Sequence, residues 1–317
     1  MTPGTPLESP VAAYGRALAL AAATDPSFAV LDVDAPDRSS LGEFQRRWAS
    51  RYERLAHTGA AAVRSAAERC PPAGSVFVSG PVESVVAASY ASIRQDVCGP
   101  RLRVRIVATA SGLDDRGPAA PLPFLEDIGL VRALPGVAVA VPADGPSAEA
   151  ATRAALAADG PVYLRLAREA GPVVSDGTFR FGHAPALRDG SDLTVVAVGG
   201  MVPPALRLAE ELRGVGVACR VLDFASVKPF DEPTLLRAAR DTGAILVAEE
   251  HSVVNGVGSL VASATAENYP VPVRRLGIPD IQTEPGDPRS LRDRYGLSAD
   301  RLRDEAWELL RVRGKVE

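Results

Sequence analysis

Residues Arg101–Asp144 read RLRVRIVATASGLDDRGPAAPLPFLEDIGLVRALPGVAVAVPAD, and the fold is decided there. The run RVRIVATA is apolar and β-branched at its centre, and too short for a helix. SGLDDRGPAAPLP is loop by composition, because glycine and proline break both regular periods. FLEDIGLVRALPG returns to a helical period, with Phe124, Ile128, Val131 and Leu134 on or near one face. VAVAVPAD is a short apolar strand stopped by Pro142. Ligands in open α/β sheets sit in loops leaving the C-terminal ends of strands. The loop Ala110–Pro123 is therefore the first place to look for chemistry. It holds Asp114, Asp115 and Arg116, but no His or Cys, and Pro118, Pro121 and Pro123 stiffen it.

The same alternation continues on both sides. Upstream lie a helix over 6–24 with Val11, Tyr14, Leu18 and Ala22 on one stripe, and a strand over 28–35. That strand ends in Asp32 and Asp34, read as a solvated strand end and cap, with contact to an ion or partner as the alternative. Helices are expected over 39–52 and 55–70, the second with His57, Thr58 and Gly59 at its mouth. A strand at 75–79 and a helix from Pro81 to about Val97 follow. Downstream come a helix at 145–159 and a strand at 161–169. Residues 170–192 are turn-rich and read as a linker. A second alternating unit then begins, with strands at 193–200, 218–224, 244–250 and 271–279. Its helices include 231–240, capped by Asp231, and a closing helix at 297–313. The pattern predicts an α/β fold of two three-layer α/β/α domains, 6–169 and 193–317.

Composition narrows the function classes. The chain has 317 residues, 46% of them hydrophobic, enough for two cores. Its net charge is −4 and its arginines are scattered, so neither nucleic acid nor an anionic membrane is expected as partner. No apolar run approaches the ~18 residues of a membrane span. The opening MTPGTPLESP lacks the features of a signal peptide, and the expected compartment is the cytoplasm. Cys70, Cys98 and Cys219 form no metal or disulfide pattern. The pair Gly199-Gly200 lacks dinucleotide spacing. NGVGS (255–259) reads as a tight turn opening a helix, with a bound anion as the alternative. Glu249, Glu250 and His251 read as an interface, with a site as the alternative. His57 and His183 each read as a hydrogen-bonding group of surface or core, with a catalytic role as the alternative. Composition and spacing stop at a soluble two-domain α/β protein.

Longer segments carry more. FLEDIGLVRALPGVAVAVPAD (124–144), DGPVYLRLARE (159–169) and SYASIRQDV (89–97) resemble the pyrimidine-binding domain of transketolase. VAVGGMVPPALRLAEELRGVGVACRVLDFASVKPFDE (196–232) and VAEEHSVVNGVGSLVASATAEN (247–268) resemble the transketolase C-terminal domain. The resemblance runs from about Pro6 to Leu310 and is nearest to split transketolases, in which this half is a separate subunit. It implies thiamine diphosphate with Mg as cofactor, and a separate N-terminal subunit holding the diphosphate and metal. It further implies self-association into a heterotetramer, and transfer of a two-carbon ketol unit between small-molecule substrates.

Carried over residue by residue, the resemblance departs from the family at the pyrimidine. The glutamate of a G-I-A-E-Q-like motif, which hydrogen-bonds the aminopyrimidine, falls on Gly59 in A-H-T-G-A. The aromatic that stacks on the pyrimidine falls on Ser84, and the histidine of the G-A-T-H-Q loop on Leu122. Tyr90 completes the set of cofactor-facing positions. Glu53 and His57 are the nearby stand-ins for the missing acid, and Phe124 for the histidine. Glycine has no side chain to donate or accept, and losing a general acid costs about 10²–10⁴ in rate. Three readings follow. The chain is a transketolase-like subunit of a specialised pathway, transferring a ketol or acyl unit. Alternatively it is a non-catalytic scaffold or regulatory subunit of such a complex. In the third reading it is a repurposed α/β protein with another ligand in the loop 110–123.

Overall fold

The computed structural model describes residues 5–34, 39–114 and 122–314. Of the loop residues singled out above, Asp115, Arg116, Pro118 and Pro121 lie outside the described residues. Two compact units form. One takes Pro6–Ser111 and Leu130–Phe181; the other is built chiefly from Gly112–Gly129 and Gly182–Glu317.

The first unit contains helix α1 (Pro10–Ala21), strands β1 (Phe28–Asp32) and β2 (Tyr52–Arg54), and helix α2 (Ala60–Arg69). Strands β3 (Ser75–Pro81), β4 (Val104–Ala110) and β5 (Ala138–Ala140) follow, then helix α3 (Gly145–Ala157) and strand β6 (Val162–Arg165). Its strands order β5-β6-β4-β3-β1-β2, every pairing parallel. Helix α1 buries the expected stripe of Val11, Tyr14, Leu18 and Ala22. That stripe shares a core with Phe28, Phe77 and Leu164, and with the small Ala148, Ala151 and Ala155 of α3. Each large apolar side chain buried this way contributes about 1.5–3 kcal/mol. Helix α3 starts on a capping box: the Ser147 N–H donates to Asp144 at 2.9 Å, and the Asp144 N–H donates to the Ser147 hydroxyl at 3.1 Å.

Two expected helices are corrected. The helix over 39–52 is only Gly42–Arg47, followed by a tight turn at Ala49–Arg51 and then β2. The helix from Pro81 to Val97 breaks into short turns, Val82–Val85, Ala87–Ser89, Tyr90–Ser92 and Ile93–Cys98. Val86 leaves helical geometry at φ −120°, ψ −65°, and the Ser89 hydroxyl donates to the Ser84 carbonyl at 2.6 Å. Such side-chain bonding offers the backbone an alternative to the helical ladder, and β-branched Val82, Val85 and Val86 weaken that ladder further.

The second unit contains strands β7 (Ala186–Arg188), β8 (Leu193–Ala197), β9 (Cys219–Asp223), β10 (Ile245–Ser252) and β11 (Val273–Ile278). Helices α4 (Val202–Gly214), α5 (Glu232–Thr242), α6 (Val257–Asn268) and α7 (Ala299–Val312) accompany them. The sheet order is β11-β10-β8-β9-β7, parallel except for the antiparallel β9–β7 pair. Asp231 caps α5 as expected, accepting from Thr234 at 3.1 Å. Among the described residues no helix is long and apolar enough to cross a membrane.

Candidate functional site

The break after β3 sets the geometry at the mouth of α2. Gly59 caps this helix in a backbone conformation of φ 64°, ψ −144°. Its carbonyl accepts from the Ala62 and Val63 amides at 3.0 and 3.3 Å, which starts the helix. Its amide donates to the Ser84 hydroxyl at 3.1 Å. The structure therefore brings Gly59 and Ser84 into direct contact. Tyr90 is half-buried and opens a later turn of the same broken segment. Leu122 is 44% exposed and belongs to the other unit. Phe124 is half-buried beside a buried Leu125.

The two stand-ins for an acid are exposed and engaged. The Glu53 carboxylate pairs with Arg69 at 3.1 Å, and the His57 Nε2 lies 3.0 Å from the Ser65 hydroxyl.

Asp32 and Asp34 correct the expectation of a solvated strand end, since both are buried. Asp32 accepts from the Ser39 hydroxyl at 2.6 Å, the Tyr52 hydroxyl at 2.8 Å and the Asp34 amide at 2.9 Å, with Arg54 at 3.3 Å. Asp34 accepts from Thr109 and Arg168, each at 2.8 Å. Burial raises the Tyr52 hydroxyl pKa, and the neighbouring Asp32 carboxylate raises it further. Sequence reasoning missed Thr109 and Arg168, because nothing local ties residue 34 to residues 75 and 134 positions away. No group of three or more His, Cys, Asp or Glu among the described residues is arranged to hold a metal.

In the second unit, Glu249, Glu250 and His251 are each bonded within the fold. Glu249 and His251 are buried. The Glu249 side-chain oxygens accept from the Val257 and Gly258 amides, both at 2.8 Å, so an internal acceptor fills the N-terminus of α6. Glu250 accepts from the Leu113 amide at 2.5 Å and lies 3.5 Å from Arg292. The His251 Nε2 accepts from the Gly129 amide at 3.2 Å while its Nδ1 lies 2.8 Å from the Ser252 carbonyl, which fixes the proton on Nδ1. These bonds hold Leu113 and Gly129 against β10. His183 is half-exposed, 3.7 Å from Asp231, at the rim of a groove of about 420 Å³ lined also by Arg220 and Arg237.

Residues 10–173 match the family described as transketolase, pyrimidine binding domain, and residues 182–302 match transketolase, C-terminal domain. The chain is 40% identical over 212 residues to the 6-deoxy-6-sulfo-D-fructose transketolase subunit SqwH of Clostridium sp. (strain MSTE9), a match spanning 66% of this chain and 65% of that protein. It is 32% identical to an apulose-4-phosphate transketolase subunit of Phocaeicola vulgatus, over 90% of this chain and 93% of that one. A solved structure described as a split gene transketolase, inactive beta4 tetramer, superposes with a TM-score of 0.89 at 34% identity, covering 96% of this chain and 99% of that one.

Proposed function

Because the chain belongs to the transketolase family, we propose that it is the pyrimidine-binding and C-terminal subunit of a two-chain, thiamine diphosphate-dependent complex. That complex transfers a two-carbon ketol or acyl unit between small-molecule substrates of a specialised pathway, in the cytoplasm. A separate N-terminal subunit holds the diphosphate and Mg, and pairs of both chains associate as a heterotetramer. The observation that carries this reading is the near end-to-end match to the apulose-4-phosphate transketolase subunit, 93% of whose length is covered.

The residues at the pyrimidine positions do not fit an aminopyrimidine by the family's means. Gly59 supplies no carboxyl and Ser84 no ring; Glu53 and His57 are exposed and engaged with Arg69 and Ser65. No step is therefore assigned to them. The non-catalytic scaffold is favoured as a second reading by one observation, the φ of 64° at Gly59.

The test is reconstitution of this chain with its candidate N-terminal subunit. Calorimetric titration with thiamine diphosphate is expected to show binding by the mixture and none by this chain alone. Turnover of a ketose donor by the mixture supports transfer. A stable complex that binds the cofactor and turns over no ketose or 2-keto acid selects the scaffold, and failure to form any complex overturns both readings.

A further inference from the structure

The mouth of α2 is built from backbone as much as from side chains. We infer that Gly59 and Ser84 are a coupled pair that shuts this turn against any side chain at residue 59, so that an acid cannot be restored there by one substitution. The inference rests on the proposed function only for what an acid at this position would mean; the coupling itself is geometric.

With φ at 64° and ψ at −144°, Gly59 occupies backbone space that glycine reaches freely and L residues avoid. A Cβ placed there stands 3.2 Å from the Ala88 Cβ, inside the contact distance of about 3.5–4.0 Å for carbon atoms. Rotating residue 59 to a negative φ would relieve the strain, but it also turns both backbone polar groups. The amide would leave the Ser84 hydroxyl, now at 3.1 Å. The carbonyl would leave Ala62 and Val63, now at 3.0 and 3.3 Å, and the first turn of α2 would fray.

Ser84 is held from its other side. Its carbonyl accepts from the Ser89 hydroxyl at 2.6 Å, in the segment where the helix after β3 is broken. A ring in place of Ser84 would strip the buried Gly59 amide of its acceptor. Glycine at 59 and serine at 84 therefore suit one another, and each obstructs return of the residue that the family resemblance places at the other.

Thermal unfolding of the full chain reads the coupling. Gly59→Ala and Ser84→Ala are each expected to lower Tm by at least about 2–4 °C. The double variant should lose measurably less than the sum of the two, as contacting residues do. Additive losses overturn the inference, and so does an unchanged Tm for Gly59→Ala. A second arm titrates thiamine diphosphate into Gly59→Glu mixed with the N-terminal subunit. No gain in affinity over the unaltered chain, or failure of the variant to fold, is the expected result; tenfold tighter binding overturns the inference. The unfolding cycle needs no partner, so failure of the proposed complex leaves it standing.

Discussion

Helices α6 and α2 both begin where a parallel strand has just ended, yet their first turns are built in opposite ways. At α6 a buried carboxylate, Glu249, accepts from two amides at 2.8 Å. At α2 a glycine carbonyl starts the helix, and a serine hydroxyl accepts from the Gly59 amide at 3.1 Å. The residue types that suggest chemistry are therefore consumed by the fold in one unit. In the other, the position where the family resemblance places chemistry offers backbone and a hydroxyl. A titratable cluster at a strand end marks function only if it is left unspent.

The contrast is broken most directly at its richer end. Glu249→Ala leaves two buried amides at a helix N-terminus without their acceptor, a loss of about 3 kcal/mol. Chemical denaturation of the full chain checks it. A loss below about 1 kcal/mol would mean that Glu249 is free for another role.

Asp144 sharpens the contrast, because it gives the first unit a carboxylate cap of its own. It accepts from Ser147 at 2.9 Å, and from the Val174 and Ser175 amides and the Ser175 hydroxyl, each at 2.7 Å. Burial pushes its pKa up, but the bonds from Ser175 and Ser147 outweigh burial and hold it below the ordinary carboxylate value. A depressed folded pKa contributes stability that is present above the unfolded value and lost as pH falls through the folded one. Stability should therefore drop below about pH 4. Asp144→Asn should cost about 2 kcal/mol at pH 7 and flatten that acid limb, as read by denaturation at several pH values. An unchanged acid limb would show that Asp144 does not carry this dependence.

The sequence carries most of the architecture, for local reasons. The buried stripe of α1 recurs at helical spacing, and Asp231 sits where a cap must sit. β2 is hidden because Tyr52-Glu53-Arg54 is a three-residue strand without apolar alternation. Arg105 is hidden in a run that reads as an apolar strand. Its buried guanidinium, pushed down to about 10 by burial, donates to the carbonyls of Ala158 and Gly160 at 2.7 and 2.5 Å, just past the end of α3. Neither contact leaves a trace in nearby spacing. The same holds for Asp34 with Thr109 and Arg168, and for Glu249, whose partners lie on the next helix. Residue identities at 59 and 84 are legible in the sequence. Their hydrogen bond is not, because it depends on a helix break that no single residue announces.

The smallest expected effect tests whether the poorer mouth conceals a working group after all. His57 is exposed, and its Nε2 lies 3.0 Å from the hydroxyl of a neighbouring serine, Ser65. Removing such a surface contact changes stability by about 0.5 kcal/mol or less. A general acid, by contrast, is worth about 10²–10⁴ in rate, so the two roles differ by orders of magnitude in the reconstituted complex. His57→Ala is expected to leave Tm within about 2 °C, and donor turnover within about twofold, of the unaltered chain. Turnover falling a hundredfold at constant Tm would make His57 the stand-in for the missing glutamate. The mouth of α2 would then be a catalytic site with its acid moved by two residues, and its contrast with α6 would be one of placement.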